Sequence, residues 1–207
     1  MNRLSKLALS LMAALTVSTA LTGCFPLVLG GAVVGGTAVY TDRRTSGTQL
    51  EDEAIELKSV TRNSEAIGSR GRVSVTSYNR MVLITGEVTS DADRALVEKT
   101  VSRVENVRSI VNELVVVKEL PPSHVGTDAV VTGKVKASLV DSKDVFAQAV
   151  KVVTERGTVY LMGRVTEREA TRAADITRGV SGVQKVVRVF EIVSEAELAN
   201  LNAPAAK

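Results

Sequence analysis

The chain has 207 residues, 44% of them hydrophobic and 24% charged, with a net charge of +3, which is the composition of a folded protein rather than a disordered tail. One cysteine and one histidine exclude an internal disulfide and an ordinary zinc site, and 3% aromatic content leaves no base-stacking platform for nucleic acid. Length allows one or two domains.

Residues 1–23 read as a signal peptide. Arg3 and Lys6 form a positive start, an uncharged Leu/Ala-rich stretch runs from Leu7 to Leu21, and Leu21-Thr22-Gly23-Cys24 closes it. This is the pattern of a bacterial lipobox. Small residues admit the chain to a narrow peptidase, and the thiol of Cys24 accepts a diacylglyceryl group. An ordinary signal peptide with a chance cysteine is the alternative, but the chain's one Cys stands at the lipobox position. Cleavage removes Arg3 and Lys6 and lowers the net charge from +3 to +1, so bulk charge gives no support for nucleic acid as a partner. Phe25 follows the cysteine where an Asp would favour inner-membrane retention, so the expected location is the periplasmic face of the outer membrane.

Residues 24–46 form the lipidated, apolar and Gly-rich N-terminal segment and linker. No charge occurs from Phe25 to Thr41, and Gly31 and Gly35 have the GxxxG spacing of packed membrane helices. The run is short for a spanning helix, so it is expected on the membrane surface or against the first domain, with an uncleaved transmembrane anchor as the alternative. Asp42-Arg43-Arg44-Thr45-Ser46-Gly47 reads as a polar linker.

The remainder repeats. Met81–Thr89 matches Thr158–Thr166 with a shift of 77, and Val104–Val107 matches Val180–Val183 with a shift of 76. A period of that length is a duplicated domain. In each copy a helical stretch comes first, Glu51–Asn63 and Asp128–Val140, with Val131, Val135, Ser138 and Leu139 on one helical face and Asp128 suited to cap the second. Hairpins follow. In the first, Val73 and Val75 alternate with polar residues, Asn79-Arg80 makes the turn and Met81–Val88 returns. In the second, Val150–Thr154 and Thr158–Val165 flank Glu155-Arg156-Gly157. Second helices are marked by Val97, Thr100, Val101 and Val104, after the capping residues Ser90 and Asp91, and by Ala170, Ala173, Ala174 and Thr177. Last strands run over Arg108–Val117 and Lys185–Val193. The order αββαβ predicts an α+β fold: two tandem modules, each a three-stranded mixed sheet with two helices on one face. Gly86 and Gly163 stand at matching strand positions and are read as room for the crossover helix. The expected boundaries are 47–120 for module 1, 121–126 for a Pro-Pro linker, 127–195 for module 2 and 196–207 for a C-terminal tail.

Val82-Leu83-Ile84-Thr85-Gly86-Glu87-Val88, its counterpart Val159–Val165, and the ending Val107 to Leu114 with Asn112 resemble the BON domain of osmotically inducible periplasmic proteins. Copy two lacks the Asn in its ending, Val187-Arg188-Val189-Phe190. With the lipobox, the whole resembles the dual-BON outer-membrane lipoproteins. That resemblance implies a role in envelope integrity, concentration at division sites, and binding of anionic phospholipid through the first helix of module 2. Mapped here, the helix is Asp128 to Leu139, with Val130, Val131, Lys134 and Lys136 as candidate contacts. Relatives can carry an aromatic residue in its first turn where this chain has Val130, which implies weaker insertion.

Charge agrees with module 2 as the lipid reader: residues 51–118 carry −1 and residues 127–193 carry +3. Catalysis finds no footing. Cys24 is consumed by lipidation, His124 lies in the linker, and there is no G-x-S-x-G elbow or phosphate-cradling loop. No catalytic residue, metal ligand or cofactor is expected. Two readings stay open: a phospholipid binder, or a lipid-anchored adaptor holding another envelope protein through the sheet faces or helices of its modules.

Overall fold

The computed structural model describes residues 42–201; Cys24, the signal peptide, the apolar run to Thr41 and the end of the tail lie outside them. Module 1 consists of α1 (Ser46–Ile67), β1 (Gly71–Tyr78), β2 (Met81–Val88), α2 (Asp91–Ser102), β3 (Ser109–Asn112) and β4 (Val115–Val116). Module 2 consists of α3 (Val125–Asp141), β5 (Lys151–Glu155), β6 (Thr158–Val165), α4 (Glu167–Arg178) and β7 (Lys185–Ile192), and α5 (Glu195–Leu201) follows it. The expected αββαβ order is present twice.

Each sheet is mixed. β1 runs antiparallel to β2 and β5 to β6, while β3 and β4 run parallel to β2 and β7 to β6. The hairpin turns place Asn79 and Arg80, and Arg156 and Gly157, at positive φ, the conformation that two-residue hairpins use. The last strand of module 1 breaks at Glu113-Leu114 and resumes without a slip: Ile84 pairs with Asn112, and Glu87 with Val115. Asn112 causes the break, because its side-chain oxygen accepts from Leu114 N at 3.2 Å and its amide donates to Glu98 at 2.8 Å. β7 lacks that Asn and is continuous.

Two expectations about helix starts change. α1 begins at Ser46 rather than Glu51, because Thr45 caps it by accepting from Thr48 N at 3.2 Å. α3 begins at Val125, and Asp128 is not its cap. The expected tail is also helical from Glu195 to Leu201, started by Ser194, whose hydroxyl accepts from Glu197 N.

The glycine reading is corrected too. At Gly86, with φ +112°, a Cβ would lie 2.0 Å from the carbonyl oxygen of Arg72, and at Gly163, with φ +154°, 2.2 Å from that of Ala149. Glycine is needed for the close approach of the backbone at Arg72 in β1 and at Ala149 just before β5, not for the crossover helix.

The helices cover one face of each sheet. In module 1 Ile55, Ile67, Val97 and Val101 pack on Val75, Val82, Ile84 and Val88. In module 2 Val131, Val135, Leu139, Ala170, Ala173 and Ala174 pack on Val152, Val159, Leu161 and Val165. All described residues belong to one compact unit, and the two helix-free sheet faces meet inside it. Tyr78, Leu83, Tyr160, Met162 and Val189 form a third core, flanked by Met81, Val111, Val153 and Val187. Burying such a side chain is worth about 1.5–3 kcal/mol, so separated modules would expose five of them to water. The layers are helix, sheet, sheet, helix. The sheet faces are therefore not available to an adaptor's partner.

Candidate functional site

α3 owes its orientation to one stripe, Asp128, Val131, Val135 and Leu139, all buried. Asp128 reaches across to the β5–β6 turn, where its carboxylate accepts from Arg156 N at 2.8 Å and Gly157 N at 3.0 Å. Asp52 does the same in α1. It accepts from Ser77 Oγ at 2.6 Å, from Asn79 N and Arg80 N at 2.8 Å each, and from Arg44 at 2.7 Å. Burial opposes its ionisation, but these four donors hold its carboxyl below the usual range. The two aspartates are 76 residues apart, the shift already visible in the repeat, so this pair of turn clamps was findable from sequence.

The structure divides the four candidate contacts. Val131 is 8% exposed and packs into the module 2 core, with its side chain against Gly182. Val131 is therefore a core residue rather than a surface contact: it shares the stripe of Val135 and Leu139 and cannot also face outward. Val130 is 57% exposed, and Lys134 and Lys136 are both exposed. The lysines are two residues apart, about 200° around the helix axis, so they border opposite edges of the outer face. The Lys134 ammonium donates to Ser181 Oγ at 3.0 Å across one edge. Lys136 borders a hollow of about 250 Å³ on the other, lined also by Leu139, Val140, Ala147, Gln148 and Val150. Between the lysines the outer face carries Val125, Gly126, Ala129, Val130, Gly133, Ala137 and Val140, all exposed. No acid faces out between Val125 and Val140, since Asp128 is turned inward.

Sequence reasoning missed the seam between modules. Arg43 and Arg44, read as linker, are built into it. Arg43 donates to both carboxylate oxygens of Glu169 and to the carbonyl of Arg164, each at 2.8 Å, and the side chains of the pair are 5% and 7% exposed. Burial opposes ionisation of Glu169, but Arg43 and the Thr166 N–H hold its carboxyl below the usual range. Glu169 also completes the capping box of α4 with Thr166. The Arg43 guanidinium lies 5.5 Å from the Phe146 ring centre and that of Arg44 4.2 Å from Tyr78. Burial pushes the Tyr78 hydroxyl up to about 12. Around the seam Glu191 accepts from Asn79 at 2.6 Å and pairs with Arg108 at 3.1 Å, and Lys151 donates to Glu56 at 2.8 Å and to the Ser77 carbonyl at 3.1 Å.

A cleft of about 490 Å³ opens where β1 faces α3, lined by Arg72, Ser74, Glu87, His124, Asp128 and Glu155 among others. Burial pushes the Glu155 carboxyl up, helped by the nearby Glu87 and Asp128. Glu87 is itself buried between Arg72 at 3.5 Å and Arg156 at 3.7 Å, a structural arrangement of paired charges. Among the described residues no three His, Cys, Asp or Glu side chains stand close enough to hold a metal ion.

Comparison with known proteins gives the lineage. The BON domain model matches residues 56–118 and again 127–194. Outer membrane lipoprotein DolP of Haemophilus influenzae is 37% identical over 193 residues, covering 92% of this chain and 97% of that one. The 21 kDa hemolysin of Actinobacillus pleuropneumoniae is 30% identical over 73% of this chain and 79% of its own. Osmotically-inducible protein Y of Escherichia coli is 30% identical over 73% and 77%. With two BON modules, and likeness to an outer-membrane lipoprotein along nearly its whole length, this chain belongs to the family of dual-BON outer-membrane lipoproteins.

Proposed function

We propose that the protein is a non-enzymatic lipoprotein, acylated at Cys24 on the periplasmic side of the outer membrane, that binds anionic phospholipid through α3 and supports envelope integrity. One observation carries the lipid reading. From Val125 to Val140 the outer face of α3 is small and apolar, bordered by Lys134 and Lys136, and the helix's one solvent-facing acid is Asp141 at the last position. An exposed apolar helix face edged with lysines suits a bilayer surface, where methylene stems sink and ammonium groups meet headgroup phosphates. The matching helix of module 1 is different, because α1 exposes Glu53 and Glu65 on its outer side. A negative surface would repel it.

The test is flotation of the Cys24→Ala protein with phosphatidylglycerol vesicles. Each lysine near an anionic surface contributes about 1 kcal/mol, so losing both charges weakens binding roughly 30-fold. Lys134→Glu with Lys136→Glu is expected to lose at least that much, and Val130→Trp to bind more tightly. Unchanged affinity in both variants, with the fold intact by circular dichroism, rejects the helix as the lipid site. The same substitution at Cys24 is expected to abolish palmitate labelling and outer-membrane fractionation.

The adaptor reading keeps one specific support. Leu50, Ala54 and Leu57 stand exposed at i, i+4 and i+7 on α1, with Val60 beside them. Such a stripe suits a protein partner. In that case vesicle composition has no effect, and Leu57→Glu abolishes capture of the partner.

A further inference from the structure

We propose that the bilayer contact runs past the end of α3 onto the loop that follows it, with Phe146 in the membrane interface and the hollow beside Lys136 taking up acyl-chain methylene groups. This rests on the lipid reading above and chooses which edge of α3 meets the membrane.

Three observations point to the Lys136 edge. The first is where the chain from the anchor arrives. Only 17 residues, 25–41, separate Cys24 from Asp42, and none is charged. The next residue, Arg43, is fixed by three hydrogen bonds, with its guanidinium over the Phe146 ring. The tether therefore ends beside the loop Ser142–Ala149, not beside Val130 in the second turn of α3.

The second is the surface itself. Phe146 is 39% exposed and Val140 65%, and the hollow between the end of α3 and the loop is lined mainly by Leu139, Val140, Ala147 and Val150. Phe146 immediately precedes Ala147 of that lining in the chain, and a partly exposed aromatic ring fits the zone where headgroups give way to acyl chains. The third is charge. Lys136 lines the hollow, and Lys143, in the loop that follows α3, is exposed. Of the acids nearby, Asp144 is paired with Arg172 at 3.2 Å, and Asp141 stands exposed at the end of the helix. On the opposite edge Lys134 is already engaged by Ser181.

The natural chain contains no tryptophan, so a single introduced Trp reports on its own surroundings. The acylated full chain is reconstituted into vesicles of phosphatidylglycerol with phosphatidylethanolamine, or of phosphatidylcholine alone, carrying Phe146→Trp, Val130→Trp or Leu57→Trp. The anchor holds the protein to both, so any difference reports docking of the body. The Phe146→Trp emission is expected to shift to the blue and be quenched by brominated acyl chains in the anionic vesicles only. Lys136→Glu in the Phe146→Trp background is expected to remove that difference, and Leu57→Trp to show none. If Val130→Trp shifts and Phe146→Trp does not, this inference fails while lipid binding by α3 stands. If neither shifts, both fail. A Leu57→Trp shift equal to that of Phe146→Trp also overturns the proposal, because the contact is then not confined to one face.

Discussion

Replacing Arg43 with Ala tests how the two modules are joined. The substitution removes three hydrogen bonds of 2.8 Å and leaves the Glu169 carboxylate buried, with only the Thr166 N–H at 3.0 Å to hold it. Both partners are almost inaccessible to water, so solvent screens the loss very little. Removing one partner of a buried ion pair costs about 3–5 kcal/mol, chiefly through the charge left behind. In a protein of this size that lowers Tm by roughly 6–20 °C. The assay is thermal unfolding by circular dichroism of the Cys24→Ala protein, with Arg43→Met, Glu169→Gln and the double variant alongside. The double variant buries no unpaired charge, so its loss is expected to fall short of the sum of the single losses. A fall in Tm under about 2 °C for Arg43→Ala, or strict additivity in the cycle, refutes the seam as the structure presents it.

Gly163→Val forces a side chain 2.2 Å from the Ala149 carbonyl and should destabilise module 2 by about 3 kcal/mol or more, read as a lower urea midpoint. Asp52→Ala should cost more than Asp128→Ala, since the first removes an acceptor from four donors and the second from two; comparative denaturation checks the order. Acid is expected to weaken the fold through Asp52 and Glu169. Both carboxyls are held below their ordinary values of 3.8 and 4.5, so their contribution is complete above those values and is lost as pH falls through the lower folded ones. Glu155 has the opposite sign, because its raised carboxyl gains protons more readily in the folded state. Stability measured from pH 6 down to pH 2 should therefore fall in the wild type and fall less steeply in Arg43→Ala.

The repeat, the strand order and the hairpin turns were legible because each depends on local chemistry: alternation, turn residues and a spacing kept in both copies. The stacking of the sheets was also written in the sequence, in a signal that is easily passed over. Met81–Ile84 and Val159–Met162 do not alternate with polar residues, and a strand apolar on both sides needs cover on both. Glu169 and Arg43, by contrast, lie 126 positions apart, and no local pattern joins them. Two adjacent arginines look like a solvated linker until a buried acid is placed opposite one of them. The candidate site shows the same division. Val130 and the lysines stand at the surface, as expected, but Val131 lies in the core, where its spacing to Val135 and Leu139 already points. That Lys134 and Lys136 border different edges of α3 follows from helix geometry alone. Where Arg43 is held, over Phe146, is supplied only by the folded chain.

Lipid recognition by module 2 is tested most directly by co-flotation of the Cys24→Ala protein, which has no acyl anchor, with vesicles of phosphatidylglycerol and phosphatidylethanolamine, at about 0.1 M and about 1 M salt, against phosphatidylcholine controls. Binding is expected to the anionic vesicles and to weaken at high salt, as the Debye length contracts from about 10 Å to about 3 Å. Equal binding to phosphatidylcholine, or none to either vesicle, contradicts it.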